Sequence, residues 1–283
     1  MIEPADISVV IPCYNGSLYI CDTINSILIQ QDVNFEIIVI DDGSTDNSAL
    51  LISGITDSRL KYKRQENKGV SAARNAGLNY CSGKFVVFFD ADDKMLDRFL
   101  KVRYEALNEN DSIDFVCGEV QNFTNKIISP NVHQGACYPA EILLYTPYIT
   151  TCPSNYMFRR TFLNENKIIF NTLLASTADR LFLMQSFLKS TPLLIKNEGR
   201  LLYRISENSM SHHLTSKLLN DNELYYSLLV NHNLIPSAIR KEALVTGNLI
   251  LFKSAWKLGK KLRAARLCAK AFLLQPIIFL KKL

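Results

Sequence analysis

One short stretch decides how this chain folds: Phe85-Val86-Val87-Phe88-Phe89-Asp90-Ala91-Asp92-Asp93. Five consecutive apolar residues are typical of a strand buried on both faces. The three carboxylates that follow would repel one another, and hard divalent cations such as Mn²⁺ or Mg²⁺ relieve such crowding through oxygen ligands. The stretch predicts a buried strand that ends either at a metal site or in an acidic loop capping a helix at Leu96.

Two other apolar runs end in polar residues in the same way. Residues 7–11 lead into Pro12-Cys13-Tyr14-Asn15, and residues 35–40 lead into Asp41-Asp42-Gly43-Ser44-Thr45-Asp46. Ligands of open α/β sheets bind outside the carboxyl ends of the strands. We therefore expect all three strand ends to converge on one site.

Part of the sequence of the turn after residue 40 is explained by backbone structure, without any role in ligand binding. Gly43 permits a tight turn, and a side chain among residues 44–46 can cap the helix that follows. Asp41 and Asp42 are not required for that cap, so they are interpreted as acceptors for a nucleobase N–H or for ribose hydroxyls.

The rest of the pattern alternates strands and helices before it becomes helical. Further strands are predicted at residues 60–64 and 115–120, and helices at residues 19–29, 46–55, 70–81, 96–108 and 179–189. Three more helices are predicted at residues 218–230, 236–257 and 260–274. This order predicts an α/β fold of parallel strands joined by helical crossovers. We expect one domain at residues 1–215 and a basic helical region at residues 216–283.

A loop and a helix rich in small residues lie between the second and third polar strand ends. Residues 66–77 read Glu-Asn-Lys-Gly-Val-Ser-Ala-Ala-Arg-Asn-Ala-Gly. The alanines and glycines allow the helix to approach the sheet closely. The same packing does not explain two cations beside an acidic cleft, so Lys68 and Arg74 are expected to face a ligand phosphate or base.

Composition places the chain among globular proteins. It has 283 residues, of which 48% are hydrophobic, and seven cysteines without a Cys-x-x-Cys pair. Scattered thiols favour a reducing compartment over a disulfide framework or a zinc site. Neither a basic leader nor an apolar run long enough to span a bilayer is evident, so a cytoplasmic location, with peripheral contact at the inner face of the membrane, is expected.

The positive charge is concentrated at the C-terminus. From Lys253 onward there are nine Lys or Arg and no Asp or Glu, so the preceding residues hold 23 of the 32 basic and all 27 acidic side chains. In the last predicted helix Leu262, Ala265, Ala269, Phe272 and Leu273 fall on one face. Residues 253–283 are interpreted either as an element for an anionic membrane surface or as a packed helical cap. Nucleic acid is disfavoured because the body is acidic.

Four motifs, in this order and spacing, resemble family 2 glycosyltransferases of the GT-A fold, a mixed α/β sheet. They are residues 7–15, 38–46, 67–75 and 89–93, and the resemblance extends less sharply to about Ser211. It implies an inverting transfer from a nucleotide-diphosphate sugar, with a UDP-sugar favoured, to a glycan or lipid-linked acceptor. Bacterial polysaccharide assembly is the usual setting of chains that resemble this one.

The resemblance also implies residue roles. Asp92 and Asp90 are expected to hold Mn²⁺ or Mg²⁺, with Asp90 shared between ribose and metal. The expected contacts to the nucleotide sugar are Pro12, Tyr14, Asn15, Asp41, Asp42, Lys68, Arg74, Asp90, Ala91 and Arg204.

The resemblance places the catalytic base at Asp179. The family has a pair of acids there, and Ala178 replaces the first of them. The alternative for Asp179 is a first-turn acid favoured by the helix dipole. In Tyr203-Arg204-Ile205-Ser206-Glu207-Asn208-Ser209-Met210-Ser211, Ser206 stands where the family often has histidine, so His212 or His213 either replaces that contact or is simply solvated.

Three other protein classes share parts of this pattern. Receiver domains group acids around Mg²⁺, but their domain is less than half as long as this chain. Phosphatases of the haloacid-dehalogenase type use Asp-x-Asp after a strand, but that pair usually opens the domain. A catalytically silent glycosyltransferase-like scaffold is the third alternative, suggested by Ala178 and Ser206 and opposed by Asp179.

Overall fold

The structure is a computed structural model that describes residues 5–124, 126–128, 142–143, 151–204 and 214–282. His212 and His213 and most of the region between residues 125 and 150 lie outside the described residues. Within the described ranges, none of the helices combines the length and the hydropathy needed to cross a bilayer.

The chain alternates strands and helices through its first 120 residues and ends in helices, as the sequence predicts. The strands are β1 Ile7–Cys13, β2 Phe35–Asp41, β3 Leu60–Arg64, β4 Phe85–Phe88, β5 Lys94–Met95, β6 Phe115–Gly118, β7 Val120–Asn122, β8 Ile127–Ile128, β9 Tyr156–Arg159, β10 Leu193–Ile195 and β11 Leu201–Tyr203. The helices are α1 Ile20–Leu28, α2 Ser48–Ser53, α3 Val70–Tyr80, α4 Phe99–Asn108, α5 Arg160–Glu165, α6 Ala178–Phe187, α7 Ser216–Asn231, α8 Arg240–Lys257, α9 Lys261–Leu274 and α10 Pro276–Lys282.

Seven strands form the main sheet, in the order β10-β6-β9-β4-β1-β2-β3. Strands β1, β2 and β4 are buried along their whole length, which is why their sequences are apolar at most positions rather than at alternate ones. The buried polar side chains Ser8 and Glu36 hydrogen-bond to each other. β1 pairs in parallel with both β2 and β4. The two strands that lead into acidic residues, β2 and β4, therefore flank β1, which ends at Cys13.

The sheet is mixed because one strand runs against its neighbours. β9 lies between β4 and β6 and is antiparallel to both. The sequence predicted β6 but not β9, since β9 has only four residues and an apolar run that short is weak evidence for a strand. Because β9 is antiparallel to both neighbours, β6 runs in the same direction as β4, so β1, β2, β3, β4 and β6 of the main sheet are parallel as the sequence predicts, and the reversed strand β9 comes later in the chain.

Helix α3 packs closely on the sheet. A Cβ atom on Gly77 would lie 2.2 Å from Val10 Cγ1, far inside van der Waals contact. The predicted need for a small residue at this contact is confirmed. Close packing of α3 also brings Arg74, on the buried side of the helix, beneath the ends of β1 and β4.

A second, four-stranded sheet has the order β5-β11-β7-β8. β5 follows the acidic run directly and pairs antiparallel with β11. Helix α4 begins at Phe99 with Arg98 before it and no side-chain cap. The alternative that residues 90–93 cap a helix at Leu96 is therefore wrong, and the pairing instead places Arg204, which follows β11, beside the acidic run.

The C-terminal helices pack on the first region and on one another. Leu181 and Met184 of α6 share an apolar cluster with Leu219 and Tyr225 of α7 and Leu251 of α8. The division into residues 1–215 and 216–283 remains a prediction. The predicted helix at 236–257 begins with a 3-10 turn at Ser237–Ile239, and the α-helix follows it.

Candidate active site

The three polar strand ends meet at one edge of the main sheet. The backbone N–H of Asp42 donates to the carbonyl of Cys13 at 2.8 Å, and that of Phe89 donates to Val10 at 2.8 Å. Because β4, β1 and β2 are neighbours, the loops that follow them are adjacent. The residues of all three loops therefore line one cleft edge.

Asn15 joins the first two loops. Its backbone N–H donates to Ser44 Oγ at 3.0 Å, and its Oδ1 accepts from the backbone N–H of Thr45 at 2.8 Å. A positive φ of 51° at Asn15 turns the chain toward the second loop, and asparagine tolerates that conformation better than most residues. Pro12 is buried in the strand, whereas the Tyr14 side chain is 53% exposed at the cleft edge.

Asp41 is a buried support of the second loop. Its side chain is fully buried, and its oxygens accept from the backbone N–H of Ser44 at 2.8 Å and from Tyr62 Oη at 2.7 Å. Burial alone would raise the pKa of Asp41, but the hydrogen bonds from Ser44 and Tyr62 lower it below the usual range. This carboxylate therefore helps to hold the turn, a role separate from the cap of the following helix, which is predicted for residues 44–46.

Asp42 fixes the loop that precedes α3. One oxygen accepts from the backbone N–H of Lys68 at 2.9 Å and from Gln65 Nε2 at 2.7 Å, and the other accepts from the N–H of Gly69 at 2.7 Å. Gly69 adopts a φ of 87°, which only glycine reaches without strain. The Lys68 side chain is exposed above this loop. Nucleotide contacts by Asp41, Asp42 and Lys68 remain predictions.

Arg74 links the third strand end to the expected base. Its guanidinium donates to Asp90 at 2.6 Å and to Asp179 at 2.6 Å, while its side chain is only 3% exposed. The ring of Phe170 lies 4.9 Å below the guanidinium carbon. The sequence predicts Arg74 as a ligand contact, but the structure places it between two carboxylates, so a direct contact to nucleotide sugar remains a prediction.

The carboxylates of the cleft are crowded and partly shielded from water. Burial raises the pKa of Asp179 to about 6 in spite of Arg74, and Asp90 adds to the rise. Burial and then Asp90 raise the pKa of Asp92 to about 6, and burial together with both neighbours raises that of Asp93 well above its usual range. The single positive charge of the Arg74 guanidinium is thus smaller than the combined negative charge that these carboxylates would carry when ionised.

This donor set fits a hard divalent cation. Among the described residues, Asp90, Asp93 and Cys152 have ligand atoms within 4.8 Å of one another. Burial raises the pKa of the Cys152 thiol well above its usual range, which leaves it a neutral, soft donor that suits Mg²⁺ or Mn²⁺ poorly. The structure therefore brings together the carboxylates of Asp90 and Asp93 as oxygen donors that suit such an ion, and the expectation that Asp90 and Asp92 hold it remains a prediction.

Arg204 closes the cleft over the acidic run. Its backbone N–H donates to Asp93 Oδ1 at 3.0 Å and its Nε donates to the carbonyl of Asp92 at 3.0 Å. Its guanidinium carbon lies 4.2 Å from the ring centre of Tyr19 and 4.1 Å from that of Phe123. Stacked between two rings, this cation is held beside the expected metal ligands, where a diphosphate group would need it.

Two supporting residues were missed by sequence reasoning. Ser154, which is fully buried, accepts from the backbone N–H of Asp90 at 2.9 Å, and Thr23 Oγ1 donates to the carbonyls of Ala91 at 2.9 Å and Asp93 at 2.8 Å. Both fix the backbone of the acidic run. They lie 64 to 70 residues from their partners along the chain, and an isolated Ser or Thr gives no signal of such a contact.

Comparison with known proteins identifies the family. A model of the family described as Glycosyl transferase family 2 matches residues 8–167, more than half of the chain. The chain belongs to glycosyl transferase family 2. The family 2 membership that the motifs predict is confirmed, and the receiver and phosphatase alternatives are set aside.

Individual relatives of this family 2 glycosyltransferase differ in how much they share. The chain is 30% identical over 211 residues to UDP-Glc:alpha-D-GlcNAc-diphosphoundecaprenol beta-1,3-glucosyltransferase WfgD of Escherichia coli, covering 72% of this chain and 79% of WfgD. It is 40% identical over 114 residues to an uncharacterised glycosyltransferase of Rickettsia conorii, covering 40% of this chain. The match spans 19% of the length of that relative.

The fold is that of solved family members. A crystal structure of a TarS fragment from Staphylococcus aureus with UDP-GlcNAc covers 97% of this chain and 90% of the fragment, with a TM-score of 0.67 at 20% identity. The GT-A fold expected from the motifs is confirmed. At this identity the similarity concerns the fold alone.

Proposed function

We propose that this family 2 glycosyltransferase moves a sugar, with inversion, from a UDP-sugar to a glycan or lipid-linked acceptor, assisted by Mn²⁺ or Mg²⁺ and with Asp179 as base. The observation that carries the proposal is the bridge from Asp90 through Arg74 to Asp179. It places a carboxylate of raised pKa at a fixed distance from the carboxylates that suit a metal. A base and a diphosphate site must be neighbours for such a transfer.

The donor is proposed from the relatives. WfgD is described as acting on UDP-Glc, and the TarS fragment was crystallised with UDP-GlcNAc. In this chain Tyr14, Asn15 and Lys68 are exposed at the cleft edge, and we propose that they contact the nucleotide. Asp41 and Asp42 act beneath them by holding the two loops in position.

The acceptor is also proposed from the relatives. WfgD is described as acting on GlcNAc-diphosphoundecaprenol, and TarS as a poly(ribitol-phosphate) beta-N-acetylglucosaminyltransferase. Both descriptions name acceptors with a hydroxyl nucleophile on a large phosphate-containing molecule. A polysaccharide or lipid-linked glycan is the acceptor class we propose here.

Each charged residue has a task in the reaction. Asp179 accepts the proton of the acceptor hydroxyl as its oxygen attacks the anomeric carbon, and the bond from that carbon to the UDP oxygen breaks on the opposite face. Arg204 is placed to balance charge on the departing diphosphate. A divalent cation held by Asp90 and Asp92 would supply further positive charge there as a Lewis acid. Arg74 keeps Asp179 in position and ionised.

The test combines donor binding with turnover. Thermal shift with UDP- and GDP-sugars, with and without Mn²⁺, identifies the donor, and UDP release measures transfer. Asp92→Ala is expected to abolish transfer and weaken metal-dependent binding of the donor, because it removes a metal ligand. Asp179→Asn is expected to abolish transfer but leave donor binding unchanged.

Asp97→Asn serves as the matched control, because Asp97 is an exposed carboxylate just after the acidic run. Full turnover by Asp179→Asn removes Asp179 as the base. Transfer that is unaffected by metal removal refutes the metal-assisted mechanism. Donor binding without turnover under every acceptor tried would instead favour the catalytically silent scaffold that Ala178 suggests.

A further inference from the structure

The most apolar face of α9 points away from the protein. Leu262 is 85% exposed and Leu273 is 79% exposed, and Ala265 and Ala269 lie exposed between them. Spacings of three and four residues place these side chains on one face of a helix about 21 Å long. The opposite face packs in the apolar clusters that contain α8, through Ala264, Leu267, Cys268 and Ala271. Of the amphipathic face predicted from sequence, Phe272 contacts the ring of Phe279 in α10, with 5.6 Å between ring centres, while the other four residues are exposed.

The exposed apolar surface continues beyond α9. Ile277 and Leu280 of α10 are 64% and 68% exposed, and Trp256 at the end of α8 is exposed as well. Soluble monomers rarely expose an extended apolar surface that has no binding role. We refer to the exposed apolar residues of α9 and α10 as the α9 surface.

Cations surround the α9 surface. Two basic residues after residue 252 pair with acids of the body, Arg263 with Glu223 and Lys282 with Glu242. Within the described part of the chain the other seven make no salt bridge: Lys253, Lys257, Lys260, Lys261, Arg266, Lys270 and Lys281. Because no acid follows Glu242, these charges attract an anionic partner.

We propose that the α9 surface docks this enzyme on an anionic lipid bilayer. The helix lies in the plane of the membrane, with Leu262 and Leu273 among the acyl chains and with Lys261, Arg266 and Lys270 at the headgroups. A second copy of the chain is a poorer partner, because face-to-face packing would bring two sets of cations together. This proposal does not depend on which sugar donor the enzyme uses or on which residue is the catalytic base.

The test is co-sedimentation of the full chain with phosphatidylcholine vesicles that contain or lack phosphatidylglycerol. Each basic residue near an anionic surface contributes about fivefold to binding, so the triple variant Lys261→Gln, Arg266→Gln, Lys270→Gln is expected to bind on the order of 100-fold more weakly. The double variant Leu262→Gln, Leu273→Gln is expected to lose about tenfold or more. Since these leucines are exposed, thermal unfolding should not change.

Two matched controls separate this surface from general charge and hydrophobicity. The triple variant Lys189→Gln, Lys196→Gln, Lys217→Gln removes three exposed cations elsewhere, and Ile29→Gln with Leu50→Gln removes two exposed apolar side chains. Both controls are expected to bind as the unchanged protein does. Equal binding to vesicles without phosphatidylglycerol, or equal losses in the controls, would overturn the proposal. The proposal would also be overturned if the protein does not bind vesicles but sediments as a dimer, and the leucine double variant sediments as a monomer.

A separate observation concerns the turn before α6, which carries the proposed base. Asp221 of α7 is buried and accepts four hydrogen bonds from that turn. One oxygen accepts from the backbone N–H of Ala175 at 2.7 Å, and the other accepts from Ser176 Oγ, Thr177 N and Thr177 Oγ1, each at 2.8 Å. Thr177 itself makes no side-chain cap to α6.

We infer that Asp221 is a positioning residue for Asp179, an inference that rests on the proposed function. A carboxylate that gathers four donors fixes the chain two residues before the base. With Arg74 holding the carboxylate of Asp179 and Asp221 holding the start of its helix, the base is fixed from both sides. The C-terminal helices thus contribute to the geometry of the reaction.

Steady-state kinetics of Asp221→Asn test this inference. The amide keeps one acceptor oxygen and loses the other, so kcat is expected to fall roughly 10- to 100-fold, the effect of a misplaced catalytic group. KM for the donor and metal-dependent UDP binding should stay within about twofold, because the donor loops do not contact Asp221. A residue that only stabilises the fold would lower the number of active molecules, so kcat is calculated per UDP-binding site, and the stoichiometry of UDP binding is expected to stay unchanged in Asp221→Asn.

Glu223→Gln is the matched control, because Glu223 lies on the same helix but pairs with Arg263 instead. Its kcat is expected to match that of the unchanged enzyme. Unchanged kcat in Asp221→Asn, or an equal fall in Glu223→Gln, would overturn the inference when Asp179→Asn is inactive. If Asp179→Asn is fully active, Asp179 is not the base, and the inference about Asp221 is refuted together with the proposed function. That outcome differs from the one in which Asp179→Asn is inactive and only the role of Asp221 is refuted.

Discussion

Arg74→Met should change the pH dependence of the reaction. Arg74 is shared by Asp90 and Asp179, each at 2.6 Å from a guanidinium nitrogen. Methionine has a similar length and no charge, so it removes the attraction that opposes burial of the Asp179 carboxylate. The pKa of Asp179 should therefore rise above its present value of about 6.

The size of this change follows from the geometry. Two charges about 4 Å apart interact by about 4 kcal/mol at an effective dielectric constant of 20, which corresponds to about 3 pKa units as an upper limit. Because the Arg74 charge is divided between two carboxylates, we expect a rise of about 1 to 2 units. Loss of the buried bridge should also lower the free energy of unfolding by about 3 kcal/mol.

The measurement is kcat/KM for UDP release as a function of pH at saturating Mn²⁺. Asp179 accepts a proton only when ionised, so activity of the unchanged enzyme should fall as pH decreases through about 6. In Arg74→Met the acidic limb of the pH profile should lie about 1 to 2 pH units higher than in the unchanged enzyme. In Arg74→Lys, which keeps the positive charge, the limb should lie close to its position in the unchanged enzyme.

Arg59→Met provides the matched control, because Arg59 pairs with Asp57 at 2.9 Å on the surface, away from the cleft. Its acidic limb should not move. An acidic limb in Arg74→Met at the same pH as in the unchanged enzyme would refute the role given to Arg74. An acidic limb at the same pH in Asp179→Asn would show that the ionisation of a group other than Asp179 causes the limb.

Two further predictions concern the frame of the site. Gly77→Ala should lower the free energy of unfolding, measured by chemical denaturation, by about 1 to 3 kcal/mol, because its Cβ would lie 2.2 Å from Val10 Cγ1. Gly54→Ala is the control: its Cβ would lie 3.5 Å from the nearest atom, so it should lower the free energy of unfolding far less. Equal losses in the two variants would contradict the close approach of α3. Ser154→Ala should lower the free energy of unfolding by about 1 kcal/mol and weaken metal-dependent donor binding, because it leaves the part-buried N–H of Asp90 without its acceptor. Full metal-dependent binding measured by thermal shift would show that Ser154 does not shape the acidic run.

Much of the fold could be read from local pattern. The strands β1, β2 and β4 are apolar at most positions because they are buried on both faces, and each leads into polar residues. Glycine and alanine in α3 mark a helix that must approach the sheet. These signals depend on residues close together in the chain, which is why four motifs within the first 93 residues identify the family.

Burial and pairing of the site residues could not be read in this way. Arg74 and Asp179 are 105 residues apart, and Ser154 lies 64 residues from Asp90. Arg74 is read from sequence as a ligand contact because a cation near an acidic cleft has many possible partners. Asp41 is read as free for a nucleotide because its contact to Tyr62 depends on the pairing of β2 with β3.

The sequence by itself determined the fold class, the family and the three strand ends that form the cleft, because apolar patterning and turn chemistry act over a few residues. Only the tertiary structure decided which carboxylates share Arg74, that Asp221 holds the turn before Asp179, and that the apolar face of α9 points outward. Each of these depends on which surfaces meet when distant elements pack, and amphipathic periodicity specifies that a helix has an apolar face without specifying what covers it.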